Sequence, residues 1–299
     1  MVSYANGLTQ AQLDQFDQDG CLCLPDFITP EEVKTLLDKS KQLIHEFDMT
    51  NHPLTKFSTD TDNHVGNDYF LDSSDKISFF FENDAFEDGK LTKPKEKSIN
   101  KIGHALHCLD PDFEKVSFSD KVKGVSKSLQ FKDPRILQSM VICKLEEIGG
   151  EVPSHTDSQF LYTKPLELCG FWFALEDCTI ANGCLSYNPG SHKRFPVAKR
   201  FVKVDKGKKG CGFIDLVSKE ELENVPKDNP DDYKYVECKA GSLVLIHHSV
   251  LHKSNPNTSQ NSRFAYVFHV IEGEAEYDPL NWLQVPPCED GATEFSKLY

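Results

Sequence analysis

Between Thr29 and Phe47 apolar residues return every three or four positions. Val33, Leu36, Leu37, Leu43, Ile44 and Phe47 share one side of a helix, with charges on the other. The start of this helix is also written in the sequence: Thr29 caps it, Pro30 takes the first helical position, and Glu32 stands three residues after the cap. A shorter pattern over residues 9–19 puts Leu13 and Phe16 on one helical face, and Gly20–Pro25 follows as a strand. Residues 50–98 are polar and turn-rich apart from an aromatic block starting at Ile77, and are expected to form loops and short strands near a site. The spacing over Ser98–Leu109 predicts a helix with His104 and His107 one turn apart.

From Arg135 the period changes. Runs rich in aromatic and β-branched residues predict strands over Ile136–Leu145, Cys169–Leu175, Tyr235–Lys239, Ser242–Ile246 and Arg263–Val270. Turn signals separate them: Asn182-Gly183, Asn188-Pro189-Gly190, Ala240-Gly241 and Asn255-Pro256. The first two bracket a strand and predict a hairpin. Phe201–Asp232, charged and rich in Gly and Lys, reads as a surface excursion. Helices first and antiparallel strands later predict a mainly β domain with flanking helices. In this single domain, 1–299, N-terminal helices (about 1–130) buttress a sandwich or barrel core (about 131–275).

Composition narrows the function. At 299 residues and 38% hydrophobic, the chain can bury a large core. Its formal net charge of −14 opposes phosphate backbones and anionic lipid, so neither nucleic acid nor membrane is an expected partner. The 10 cysteines include no Cys-x-x-Cys pair and several sit in apolar runs, as buried thiols do. The first residues lack the pattern of a signal peptide, and no apolar run is long enough for a membrane span. Ser296-Lys297-Leu298 is followed by Tyr299, so it does not count as a peroxisomal address. The expectation is an intracellular, cytoplasmic monomer.

The candidate chemistry begins at His155-Thr156-Asp157, the only His-x-Asp in the sequence. On an extended strand the two side chains point the same way, and a second His from elsewhere would complete the 2-His-1-carboxylate face of non-heme Fe(II) oxygenases. With 11 His in the chain such a triplet also arises by chance, and His104 and His107 read more simply as packing or surface residues. His252 is the expected third ligand because of its surroundings, although His247 and His248 are near it. Ser254 follows it, and Arg263 stands 11 positions on, at the head of a strand, where a guanidinium suits an acidic co-substrate. In isolation Arg263 reads as a strand-end surface charge.

Taken together, several motifs resemble the phytanoyl-CoA dioxygenase family. They are His155-Thr156-Asp157, Glu176-Asp177 with Asn182-Gly183-Cys184-Leu185, Pro189-Gly190-Ser191-His192, and His252-Lys253-Ser254 with Arg263 downstream. Asp68-Tyr69-Phe70-Leu71, Asn100-Lys101-Ile102-Gly103, Gln138-Ser139-Met140 and Asn281-Trp282 extend the resemblance over nearly the whole chain. It implies a double-stranded β-helix and an Fe(II)- and 2-oxoglutarate-dependent dioxygenase. That activity would couple decarboxylation of 2-oxoglutarate to succinate with hydroxylation of a small-molecule or acyl substrate by dioxygen, with ascorbate as a stimulant. Carried over by position, it implies His155, Asp157 and His252 as iron ligands. Arg263 and Ser254 would hold the distal carboxylate of 2-oxoglutarate. Lys101, Met140 and Trp172 would line its pocket, and Thr156 would offer its backbone. The paired His247-His248 departs from the pattern, in which at most one His is expected. Phe160, Tyr162, Phe171 and Phe173 would suit a dry site, or serve as ordinary core. Two other readings share these residues: an iron- and 2-oxoglutarate-binding sensor without turnover, and a cupin-like barrel holding zinc or manganese. The family's name does not fix the substrate as phytanoyl-CoA: no dense basic patch for the phosphates of coenzyme A is present, and Lys203, Lys206, Lys208 and Lys209 form a small one, better read as a solvated loop.

Overall fold

The computed structural model describes residues 4–56, 68–205, 209–225, 227–285 and 294–299. Its centre is an eight-stranded antiparallel sheet. In chain order its strands are β1 (Cys21–Leu24), β2 (Ile77–Phe81), β3 (Ile99–His104), β4 (Pro134–Lys144), β6 (Leu168–Ala174), β11 (Leu243–His247), β13 (Arg263–Glu272) and β14 (Ser296–Lys297). The spatial order is β1-β11-β6-β13-β4-β3-β2, with β14 also paired to β4. A smaller sheet holds β5 (Val152–His155), β7 (Leu185–Tyr187), β10 (Lys234–Val236) and β12 (His252–Ser254), ordered β10-β7-β12-β5. The hairpin β8 (Lys199–Asp205) and β9 (Lys209–Asp215) stands apart from both sheets.

Side-chain alternation divides the large sheet into two faces. The outer face carries Phe171 and Phe173 of β6, Tyr266 and Phe268 of β13, and Val141 and Cys143 of β4, all inside one buried apolar cluster. Helices cover it: α1 (Gln10–Asp19) contributes Phe16, α2 (Pro30–Glu46) Leu36 and Ile44, α3 (Pro111–Ser117) Phe113, and α4 (Asp120–Ser128) Val122 and Val125. Phe171 and Phe268 stack at 5.1 Å between ring centroids. The inner face carries Met140, Trp172, Val244, Ile246, Ala265 and Val267, which pack with Leu185 and Val236 of the smaller sheet and with Cys184 just before it. Every residue of β6 is buried, as expected of a strand covered on both faces.

The α2 boundary is as the sequence predicts. Thr29 accepts from the Glu32 N–H, and the Glu32 carboxylate accepts from the Thr29 N–H at 2.7 Å. Three expectations need correction. Ser98–Leu109 is not a helix: Ile99–His104 is a strand bonded to β2 on one side and β4 on the other, and only Leu106–Leu109 is helical. Two waiting strand edges outweigh local propensity there. The strand at Leu185–Tyr187 makes no hairpin with its chain neighbours, because it pairs β10 and β12. Phe201–Asp232 is not wholly a surface excursion, since Phe201 and Cys211 of the β8–β9 hairpin are buried in a third cluster with Phe70, Phe80, Leu161 and Trp282. The N-terminal third supplies strands β1, β2 and β3 as well as helices.

Candidate metal centre and its cavity

His155 closes β5 and His252 opens β12, and the two are directly opposed in the register of the smaller sheet. Their rings lie 4.2 Å apart. Asp157 is not on the strand, as the sequence pattern suggested. It begins a single 3-10 turn, Asp157–Gln159, which swings its carboxylate back between the two imidazoles. Ser158 N–H, bonded to the His248 carbonyl at 3.0 Å, ties this turn to the end of β11. Asp157 Oδ1 lies 3.5 Å from His252 Nε2 and 3.9 Å from His155 Nε2. The three ligand atoms fall within 4.8 Å of one another, as a single ion requires.

The protonation pattern suits a cation. His155 Nδ1 lies 2.8 Å from the Pro153 carbonyl, and His252 Nδ1 lies 3.0 Å from the Val250 carbonyl. A carbonyl only accepts, so each Nδ1 carries a proton and each Nε2 faces the centre. Burial, with His252 adding to it, pushes His155 down to about 4, so this imidazole is neutral at pH 7. Burial alone would raise the Asp157 carboxyl. The facing His252, His269 and His155 outweigh it and hold the group well below the usual carboxylate range. Two imidazoles and one carboxylate are the donor set of a non-heme iron site, with one side open.

That side opens into a cavity of about 370 Å³ between the two sheets. Arg263, Trp172, Met140, Lys101 and Ser254 line it, together with all three candidate ligands. Arg263 is fully buried and opposes Lys144 in the register of β13 and β4. Its Nη2 donates to Ser254 Oγ at 3.3 Å, while Nε and Nη1 have no partner among the described residues. The guanidinium carbon lies 5.3 Å from the Trp172 ring, and Trp172 Nε1 is also unpartnered. A buried guanidinium with idle donors is costly unless an anion meets it. Ser254 donates its own proton to the Gly183 carbonyl at 2.9 Å, so here it orients Arg263. Gly183 itself has φ +74°, and a Cβ there would meet the Asn255 carbonyl at 2.5 Å. Burial pushes Lys101 down to about 7.

Other expected residues fall elsewhere. Thr156 is buried but is not part of the cavity wall, and its N–H meets Gln159 Oε1 at 3.4 Å. His247 and His248 lie outside the cavity: His247 packs on His192 at 4.5 Å, and His248 Nδ1 meets Ser249 Oγ at 2.6 Å. Of the four aromatics, Phe160 lines the cavity; Phe171 and Phe173 belong to the outer face, and Tyr162 lies under Arg200. His104 reaches the cavity wall with Nδ1 on Ser73 Oγ, whereas His107 turns to Ser139 Oγ, so the two do not act as a pair. Lys206 and Lys208 lie outside the described residues.

Sequence reasoning missed His269, Gln138, Lys144, Glu82 and the aromatic end of the cavity formed by Phe70, Phe201 and Trp282. His269 was within reach of it: Arg263, Ala265, Val267 and His269 alternate along one strand, so a pocket containing the first contains the last. Lys144 is buried with its Nζ on the Gly150 and Asn255 carbonyls at 2.8 and 2.6 Å, a pairing that only the fold creates.

Residues 16–265 match the family model described as phytanoyl-CoA dioxygenase. The chain is 43% identical over 279 residues to the phytanoyl-CoA dioxygenase domain-containing protein 1 homolog of Dictyostelium discoideum, covering 93% of this chain and 96% of that one. It is likewise 43% identical to phytanoyl-CoA dioxygenase domain-containing protein 1 of Danio rerio, over 93% of this chain and 95% of that protein. Among solved structures, the non-heme α-ketoglutarate-dependent carbocyclase SnoK of nogalamycin biosynthesis superposes with a TM-score of 0.62 at 18% identity, over 93% of this chain and 90% of that one. EctD from S. alaskensis, solved with 2-oxoglutarate and 5-hydroxyectoine, gives 0.62 at 18%, over 97% and 86%. The fold is thus that of these jelly-roll oxygenases, and the chain belongs to the phytanoyl-CoA dioxygenase family and is an enzyme of the dioxygenase class.

Proposed function

We propose that this protein is an Fe(II)- and 2-oxoglutarate-dependent hydroxylase of a small molecule or acyl group. One juxtaposition carries the reading. A 2-His-1-carboxylate face and a buried guanidinium with two nitrogens unpartnered among the described residues share one cavity. The first suits a divalent iron with open positions, and the second suits the far carboxylate of a dicarboxylic co-substrate.

His155, Asp157 and His252 would hold the metal. When bound, Fe(II) supplies the activation of dioxygen that lets 2-oxoglutarate, dioxygen and a C–H bond give succinate, carbon dioxide and an alcohol. Arg263, steadied by Ser254 and backed by Trp172 and Met140, would fix the distal carboxylate, and Lys101 would add a second cation. The remaining wall excludes water with Phe70, Phe160, Phe201 and Trp282. The cavity of about 370 Å³ would hold the co-substrate and the reacting group of the substrate.

The test is 2-oxoglutarate binding to the Mn(II)-loaded protein without oxygen, followed by calorimetry. Wild type is expected to bind one equivalent. Arg263→Ala is expected to lose roughly 2–5 kcal/mol of that affinity, the usual cost of truncating one side of a buried charge pair. Unchanged binding in the variant would show that another cation holds the acid.

A further inference from the structure

The iron ligands account for only one oxygen of Asp157. The other, Oδ2, is buried and makes no regular hydrogen bond among the described residues. His269 Nε2 stands 3.4 Å from it. Beneath the same oxygen lies Gly170 of β6, where a Cβ would come within 3.1 Å of Oδ2 and 3.7 Å of His269 Cδ2. Gly170 and His269 are direct partners in the register of β6 and β13, so one position of the large sheet supplies both floor and wall. On the next strand Gln138 is the register partner of His269, and its Nε2 lies 3.4 Å from His269 Nδ1. The proton assignment follows from the ends of this chain. A carboxylate only accepts, so His269 carries its N–H at Nε2. The Gln138 amide nitrogen, a donor, faces Nδ1, and Gln138 Oε1 is left without a partner among the described residues.

We propose that His269 is a positioning residue for the metal centre: with Gly170 as floor and Gln138 fixing its tautomer, it captures Asp157 Oδ2 so that the carboxylate offers one oxygen to the metal. This rests on reading the site as an iron centre. A carboxylate free to turn would present both oxygens and take up a position that the co-substrate and dioxygen need. The niche stops that turn from the side away from the imidazoles. His269 touches neither the metal position nor 2-oxoglutarate in this scheme and acts through Asp157.

The experiment measures Mn(II) affinity by anaerobic calorimetry, and the visible spectrum of the Co(II) form, in wild type, Asp157→Ala, His269→Leu, His269→Gln and Gly170→Ala. Wild type is expected to bind, and Asp157→Ala is not. His269→Leu and Gly170→Ala are expected to weaken Mn(II) binding about 10–100-fold, the usual effect of losing a group that orients a metal ligand. Both should shift the Co(II) bands, and His269→Gln, which keeps an N–H donor, should restore most of the affinity. Gly170→Ala attacks the niche from the opposite strand and carries the test if His269→Leu does not fold. Affinities within twofold of wild type in the folded variants would overturn the proposal, as would equal losses in His269→Leu and His269→Gln, since packing alone would then explain them. Absence of Asp157-dependent binding in wild type would instead remove the iron reading itself.

Discussion

At the residue scale the site depends on a few buried polar groups whose partners are incomplete among the described residues. Arg263 has two idle nitrogens, and His155 and His252 have their Nδ1 protons committed to carbonyls so that both Nε2 atoms face inward. Asp157→Ala removes the only anionic donor of this set, and is expected to abolish Mn(II) binding while leaving the circular dichroism of the folded protein unchanged. Retained binding would dismiss the ligand assignment. Lys101 gives a pH signature. Burial holds it at about 7 in the free protein, and a neighbouring dianion would favour its charged form and raise that value. Below pH 7 the lysine is already charged, so 2-oxoglutarate affinity should be flat there. Above pH 7 binding must take up a proton, and affinity should fall by up to about tenfold per pH unit. Calorimetry in two buffers of different ionisation enthalpy would read the proton directly, and Lys101→Met should erase it. A slope that persists in the variant would place the titrating group elsewhere.

At the element scale the sequence was informative wherever a local rule decides the outcome. The Thr29 cap, Pro30 and Glu32 define α2 by themselves, and β4, β6, β11 and β13 announce themselves by apolar runs. Thr29→Ala is expected to cost about 1 kcal/mol in urea unfolding without altering metal affinity, since the cap lies on the helical layer outside the sheet. A loss of metal binding in that variant would mean that the layer and the centre are coupled. The sequence was silent or misleading where pairing partners decide. β3 has no strand signature of its own and exists because β2 and β4 offer edges. The strand at Leu185–Tyr187 looked like a hairpin because its turns are local, but its partners are not. For the same reason, the candidate ligands His155, Asp157 and His252 and the pocket residues Ser254 and Arg263 were legible as motifs, and Lys101, Met140 and Trp172 through the family resemblance. The cross-strand neighbours Gln138, Lys144 and Gly170 became meaningful only through register.

At the scale of the whole molecule, two sheets enclose the centre, a helical layer covers the outer face of the large one, and the aromatic cluster of Phe70, Phe201 and Trp282 closes the far end. No helix among the described residues is long and apolar enough to cross a membrane. The net charge of −14 opposes the approach of a substrate with a polyphosphate tail. Free coenzyme A is therefore expected not to compete with any turnover of the enzyme, and competitive inhibition would contradict this reading of the charge. The most direct test of the central claim is succinate formation from 2-oxoglutarate by purified protein with Fe(II), ascorbate and air, set against Asp157→Ala. The account predicts slow, iron-dependent succinate release in wild type and none in the variant. Equal release in both proteins, or none in wild type together with no metal-dependent 2-oxoglutarate binding, would contradict it.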